Sequence, residues 1–122
     1  MSALNENAIT RLITASLVDL SLTTPTKLYA VPQGKSCIVT HIVLRTASAS
    51  LTTAYFSIGF NSATYNNIVA NATYTELTNA GLYTVLKPRT GATVGLQLEN
   101  LNLLANTTQS ATVTIEVFGY LL

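Results

Sequence analysis

The chain alternates between apolar and polar positions with a period of two. Over residues 52–60, Ala54, Phe56, Ile58 and Phe60 fall on one side of an extended backbone, and Tyr55, Ser57 and Gly59 on the other. The same pattern predicts a strand over 92–98, with Ala92, Val94, Leu96 and Leu98 opposite Thr93, Gly95, Gln97 and Glu99. It predicts a last strand over 111–120, with Ala111, Val113, Ile115 and Val117 inward and Thr112, Thr114 and Glu116 outward, towards water. Phe56, Ile58, Val94, Leu96, Val113 and Ile115 are therefore the predicted core. Residues 37–46 differ, because both alternating sets are apolar: Ile38, Ile42 and Leu44 on one side, Cys37, Val39 and Val43 on the other, with His41 beside them. A strand covered on both faces has this pattern.

Weaker signals fill the rest. Residues 11–22 are β-branched and apolar enough for a first strand. A helix competes there, since Leu12, Ala15, Leu17 and Leu20 also form a stripe. Short strands are predicted over 27–31, 67–70, 73–77 and 82–86. Breaks fall at Thr24-Pro25-Thr26, Pro32-Gln33-Gly34, Asn79-Ala80-Gly81 and Lys87-Pro88-Arg89-Thr90-Gly91, where Pro fixes φ and Gly permits a positive one. Residues 61–67 read as a loop containing Tyr65, and 100–109 as a connection with apolar positions at Leu101, Leu103 and Leu104. About eight or nine short strands at this spacing predict an all-β sandwich or barrel. Links long enough to cross between sheets, and no two-residue Asn-Gly hairpin, favour a single jelly-roll-like sandwich of antiparallel strands over a meander. Residues 1–10 lack periodicity and read as a short flexible arm preceding one domain over 11–122.

Composition narrows the function. Of 122 residues, 48% are hydrophobic but only 9% charged, against roughly 25% in an ordinary domain. Thr, Ser and Asn supply the missing polarity. Such a surface repels copies of itself weakly and suits close neighbours in an assembly. The six basic residues, Arg11, Lys27, Lys35, Arg45, Lys87 and Arg89, are scattered, and the net charge is +1. No basic stripe for nucleic acid is present. The opening residues show neither a signal peptide nor an apolar run of membrane-spanning length.

Residues that do chemistry are sparse. His41 is the sole histidine and Cys37 the sole cysteine, so neither a zinc site nor a Ser or Cys triad can be assembled from them. Cys37, inside an apolar strand, reads as a buried structural thiol. Glu6, Asp19, Glu76, Glu99 and Glu116 are widely spaced, and nothing pairs them for glycoside hydrolysis. No catalytic residue, metal or cofactor is expected. Asn71 and Asn106 lie in Asn-x-Thr sequons, which a Thr-rich chain generates by chance. A sugar-binding module is the alternative, with Tyr55, Tyr65, Tyr74 and Tyr83 as stacking residues aided by Asn66 and Asn67.

One stretch carries a resemblance. Leu28-Tyr29-Ala30-Val31-Pro32-Gln33-Gly34-Lys35 resembles the Y-x-V-P-x-G-K segment that precedes a hydrophobic strand in many small phage and prophage virion proteins, and Cys37 to Arg45 follows it suitably. Val117-Phe118-Gly119-Tyr120-Leu121 is similar to the close of such chains. The resemblance implies a β-sandwich structural protein without catalytic residues, of the capsid cement (decoration) type. It further implies a homotrimer bound to the major capsid protein, located on the virion surface and made in the host cytoplasm. A tail or fibre β-module is a further alternative. Leu4, Asn5, Glu6, Asn7 and Ile9 of the arm are the expected partner-binding residues.

Overall fold

The computed structural model describes residues 9–122. Eight strands are formed: β1 (Thr10–Asp19), β2 (Thr26–Ala30), β3 (Cys37–Arg45), β4 (Tyr55–Gly59), β5 (Val69–Ala72), β6 (Tyr83–Leu86), β7 (Asn100–Thr107) and β8 (Thr112–Leu121). They make two antiparallel sheets, in the orders β1-β8-β3-β6 and β2-β7-β4-β5. Only the β4–β5 hairpin stays within one sheet; every other connection crosses to the opposite one. This is the jelly-roll winding that the spacing predicts. Val18, Ile42, Leu44, Val113, Ile115 and Val117 of the first sheet share one buried core with Leu28, Phe56, Ile58, Leu101 and Leu103 of the second. Four of the six predicted core residues, Phe56, Ile58, Val113 and Ile115, are fully buried there.

The first element is strand, not helix, and ends at Asp19, with residues 20–22 outside it. β1 runs antiparallel to β8, with bulges at Leu12 and at Ser16–Leu17, and Leu17 turns outward at φ 54°. Among the described residues β3 is buried on one face and half-buried on the other. Its pairing with β8 slips between Val39 and His41, so Cys37 and Val39 point inward before the slip and Ile42 and Leu44 after it. The bulge makes both alternating sets look apolar. It also separates His41 from Val39, leaving His41 half-buried on the outer face. Thr114, expected to face water, is only 5% exposed, because β8 lies between β1 and β3 and Thr114 is paired across to Arg45.

Two segments exchange roles relative to the pattern. Residues 73–77 form a turn, closed by the Leu77 N–H donating to the Tyr74 carbonyl at 3.1 Å, and the turn sends both Tyr74 and Leu77 into the core. Residues 100–109 contain a central strand, β7, which pairs with β2 and β4. Its inward residues are Leu101, Leu103 and Ala105, while Asn100, Asn102 and Asn106 take outward positions. Asparagine is depleted in strands as a class, but an outward position tolerates it.

The outer face of the first sheet carries the charge pairs. The Arg45 Nε donates to Glu116 Oε1 at 2.8 Å from β3, and Arg11 donates to Glu116 Oε2 at 3.1 Å from β1. The Arg45 hydrogen bond, reinforced by that from Arg11 against some desolvation, holds the Glu116 carboxyl below its ordinary value of 4.5. A carboxyl with a depressed folded pKa stabilises the fold above its unfolded pKa, and that contribution is lost as pH falls through the folded value. Glu116→Gln is therefore expected to lower the melting temperature at neutral pH and to flatten its fall below pH 4.5. Thermal melts of both proteins across that range check this, and parallel pH profiles would contradict it.

Gln109 organises the opposite end of the sandwich. Its Oε1 accepts the backbone N–H groups of Thr52, Thr53 and Ala54 at 3.0–3.1 Å, and its Nε2 donates to the Ser50 carbonyl at 2.6 Å. One amide thus satisfies the backbone of the β3–β4 crossing, which makes no sheet ladder of its own.

Candidate functional site

Residues 92–98 do not form a strand of either sheet. Their one ladder contact is a bridge between Gly95 and Cys37, with reciprocal hydrogen bonds of 2.8 and 2.9 Å. The alternation does not sort buried from exposed here: Gly95 alone is buried, and Thr93 and Gln97 are exposed. Gly95 faces inward against the Phe60 ring, leaving no room for a β-carbon. The polar residues beside it are used within the molecule. Gln97 Oε1 accepts the Gly34 N–H at 2.7 Å, Thr93 Oγ1 accepts from Asn67 Nδ2 at 2.6 Å, and Glu99 Oε1 accepts the Leu96 N–H at 2.7 Å. Three of the four apolar residues face out: Val94 is 40% exposed, Leu96 58% and Leu98 67%, whereas Ala92 packs against the core. Val94 and Leu96, predicted as core, are surface residues.

This strip lies at one end of the sandwich with other exposed apolar groups. A shallow depression of about 420 Å³ is lined by Gly34, Lys35, Ser36, Leu96 and Gln97. Ser36 exchanges backbone hydrogen bonds with the exposed Leu122 at 2.8 and 3.1 Å. The register places Thr10 of β1 opposite Gly119 of β8, and Gly119 opposite Val39 of β3, so the exposed Ile9 emerges at this same end. Of the expected arm residues, Ile9 is thus placed at the same end as the strip, across β8 and β3 from it, whereas Leu4, Asn5, Glu6 and Asn7 lie outside the described residues. Sequence reasoning missed the strip because it took the alternation as a core strand. Gly95 was the available signal, since a glycine within a strand pattern marks close approach of a bulky neighbour.

The four tyrosines do not form a platform. Tyr74 is buried and tilted against Phe56 with ring centroids 5.2 Å apart. Burial, with a smaller contribution from the Glu76 charge, pushes its hydroxyl up to about 12. Tyr55 is exposed on the second sheet and Tyr83 on the first, facing opposite sides. Tyr65 lies in the loop 61–67, where with Phe60, Ser62, Glu99, Asn100 and Asn102 it lines a cleft of about 250 Å³. Asn66 and Asn67 are bound within that loop and do not line the cleft. Asn71 and Asn106 of the two sequons hydrogen-bond to each other.

Cys37 is fully buried, and desolvation pushes its thiol up to about 11, opposite to what a nucleophile needs. His41 stacks on Phe118 with centroids 4.5 Å apart and planes 8° from parallel, and its Nδ1 lies 3.2 Å from Thr40 Oγ1. Among the described residues no group of three or more His, Cys, Asp or Glu side chains is placed to hold a metal ion. No helix among them is long and apolar enough to cross a membrane.

No protein-family model matches the chain, and no curated protein matches it in sequence. In three dimensions it is similar to a chain from the acid-stable capsid structure of Helicobacter pylori bacteriophage KHP30. The TM-score is 0.56 at 11% sequence identity, over 93% of this chain and 92% of that one. The likeness is one of fold along the whole length of both chains.

Proposed function

We propose that this chain is a non-enzymatic structural protein of a phage virion, of the cement type, which binds the capsid shell as a trimer and stabilises it. The observation that carries the reading is the exposed strip: the sandwich presents Val94, Leu96 and Leu98 to the outside, with Leu122 and Ile9 exposed at the same end. Isolated exposed apolar residues are ordinary, but several gathered at one end of a domain favour an interaction surface. The end-to-end likeness to a chain of a phage capsid structure supports a virion setting.

The mechanism is mechanical. A protein seated over a joint between capsomers adds buried area that must be exposed again before the joint opens. Apolar contact contributes roughly 25 cal/mol per Å², less the cost of association, and three copies around one joint repeat the contact. In this reading the strip end and the arm face the shell. Copies meet through the outer face of β3 and β6, where Tyr83 and Val85 are exposed and Ile38 and Val43 half-buried.

Light scattering and co-sedimentation with capsids of the encoding phage test it together. The expected mass is three times the 13.0 kDa of the chain, and the protein should pellet with capsids. The combined variant Val94→Ser, Leu96→Ser, Leu98→Ser should keep that mass and stay in the supernatant. A wild-type protein that ignores capsids overturns the shell-binding reading, and a monomeric mass overturns the trimer.

A further inference from the structure

We infer that the cleft between the 61–67 loop and the start of β7 is a binding site for a single neutral sugar ring, with Tyr65 as its apolar wall and Glu99, Asn100, Asn102 and Ser62 as its hydroxyl partners. This rests on the cleft alone and does not depend on the virion reading.

The loop is built rigidly. Asn61 Oδ1 accepts the N–H groups of Asn66 and Asn67 at 2.8 and 3.0 Å. Asn67 Oδ1 accepts the Phe60 N–H at 2.8 Å, and Arg89 donates to the Asn66 carbonyl at 3.0 Å. The Tyr65 N–H donates to the Asn61 carbonyl at 2.7 Å. A β-carbon on Gly59 would lie 2.6–2.7 Å from Asn61, Asn66 and Asn67 atoms, so the loop closes down on a bare backbone. This network holds Tyr65 at φ 45°, a left-handed conformation that aromatic residues rarely adopt. Strain of this kind persists only where the surroundings over-determine it, and it clusters at ligand sites.

The polar groups divide sharply. Asn61 and Asn66 are engaged inside the loop, and Asn67 with Phe60 and Thr93. Among the described residues no hydrogen bond engages the side chains of Ser62, Tyr65, Asn100 or Asn102, and Glu99 uses Oε1 alone. Two amides offer both donors and acceptors, and a carboxylate accepts from hydroxyls. The half-buried Tyr65 ring offers an aromatic surface for the C–H side of a pyranose, while Phe60 is buried with its ring against Gly95. The carboxylate disfavours phosphates and other anions, and one carboxylate is too few for a metal. At about 250 Å³ the cleft falls below the range of about 300–1,000 Å³ that holds drug-sized ligands, which suits one ring.

Amide-resolved NMR titration of the full chain with glucose, galactose, mannose and N-acetylglucosamine tests the site. At least one sugar should give saturable shifts confined to residues 60–67 and 99–102. Asn102→Ala should weaken that sugar by at least about tenfold without altering the rest of the spectrum. Tyr65→Asn should do the same, because Asn accepts the left-handed backbone and removes the ring. Absence of saturable shifts with all four sugars, shifts centred elsewhere, or folded variants that bind like wild type would each overturn the proposal.

Discussion

Phe56→Ala is expected to cost about 3–5 kcal/mol of folding stability, whereas Leu96→Ala should stay within about 0.5 kcal/mol of wild type. Both residues belong to the apolar set of a period-two segment, so pattern alone treats them alike. Their surroundings do not. Phe56 is fully buried on β4 between β7 and β5, paired to Ala105 and Ala72 and packed on the Tyr74 ring. Truncating it leaves a cavity under the Tyr74 ring and strips contacts from both neighbouring strands. Leu96 is 58% exposed, and its backbone is held by Glu99 rather than by its own side chain. Denaturant melts of the isolated protein decide the pair. A costly Leu96→Ala would mean that the strip is core and that residues 92–98 pair as a strand.

The same contrast shows what the sequence could reveal. Strands β4 and β8 were legible because their alternation is strict and their inward residues are all apolar, which fixes the register. The jelly-roll winding was legible from long links and scattered Pro–Gly turns. The orientation of 92–98 was not. It depends on Gln97 reaching Gly34 and Thr93 reaching Asn67, contacts 63 and 26 residues apart along the chain. Nor was the β3 bulge legible, since two apolar sets read equally well as a strand covered on both faces. β7 was hidden by asparagines at its outward positions. Of the candidate sites, Ile9 and Tyr65 were within reach as residue types. The exposed strip and the Asn-braced cleft exist only once distant segments meet.

Gly119→Ala is expected to cost at least about 3 kcal/mol, the upper end for overpacking, although it adds a single methyl group. Gly119 sits in β8 between Thr10 of β1 and Val39 of β3, at the β3 bulge. A β-carbon there would overlap the carbonyl oxygen of Ile38 and crowd the Ile38 carbonyl carbon and Val39 Cα at 3.0 and 3.1 Å. All three are backbone atoms, so no rotamer change relieves the clash and β3 must move away from β8. Gly81→Ala is the control: its nearest neighbour is the Asn79 side chain at 3.2 Å, and a loss within about 0.5 kcal/mol is expected. The consequence of Gly119→Ala extends to the surface. Cys37 pairs with Leu121 just beyond Gly119, and Cys37 is also the residue that holds Gly95. Prising β3 from β8 therefore loosens the backbone under Val94 and Leu96. Hydrogen exchange should show faster exchange at Cys37 and Gly95 in the variant, while the amides that Gln109 holds at the far end, Thr52 to Ala54, stay unchanged. Exchange that rises equally at both ends would mean that the sandwich opens as one unit and that the strip has no separate support.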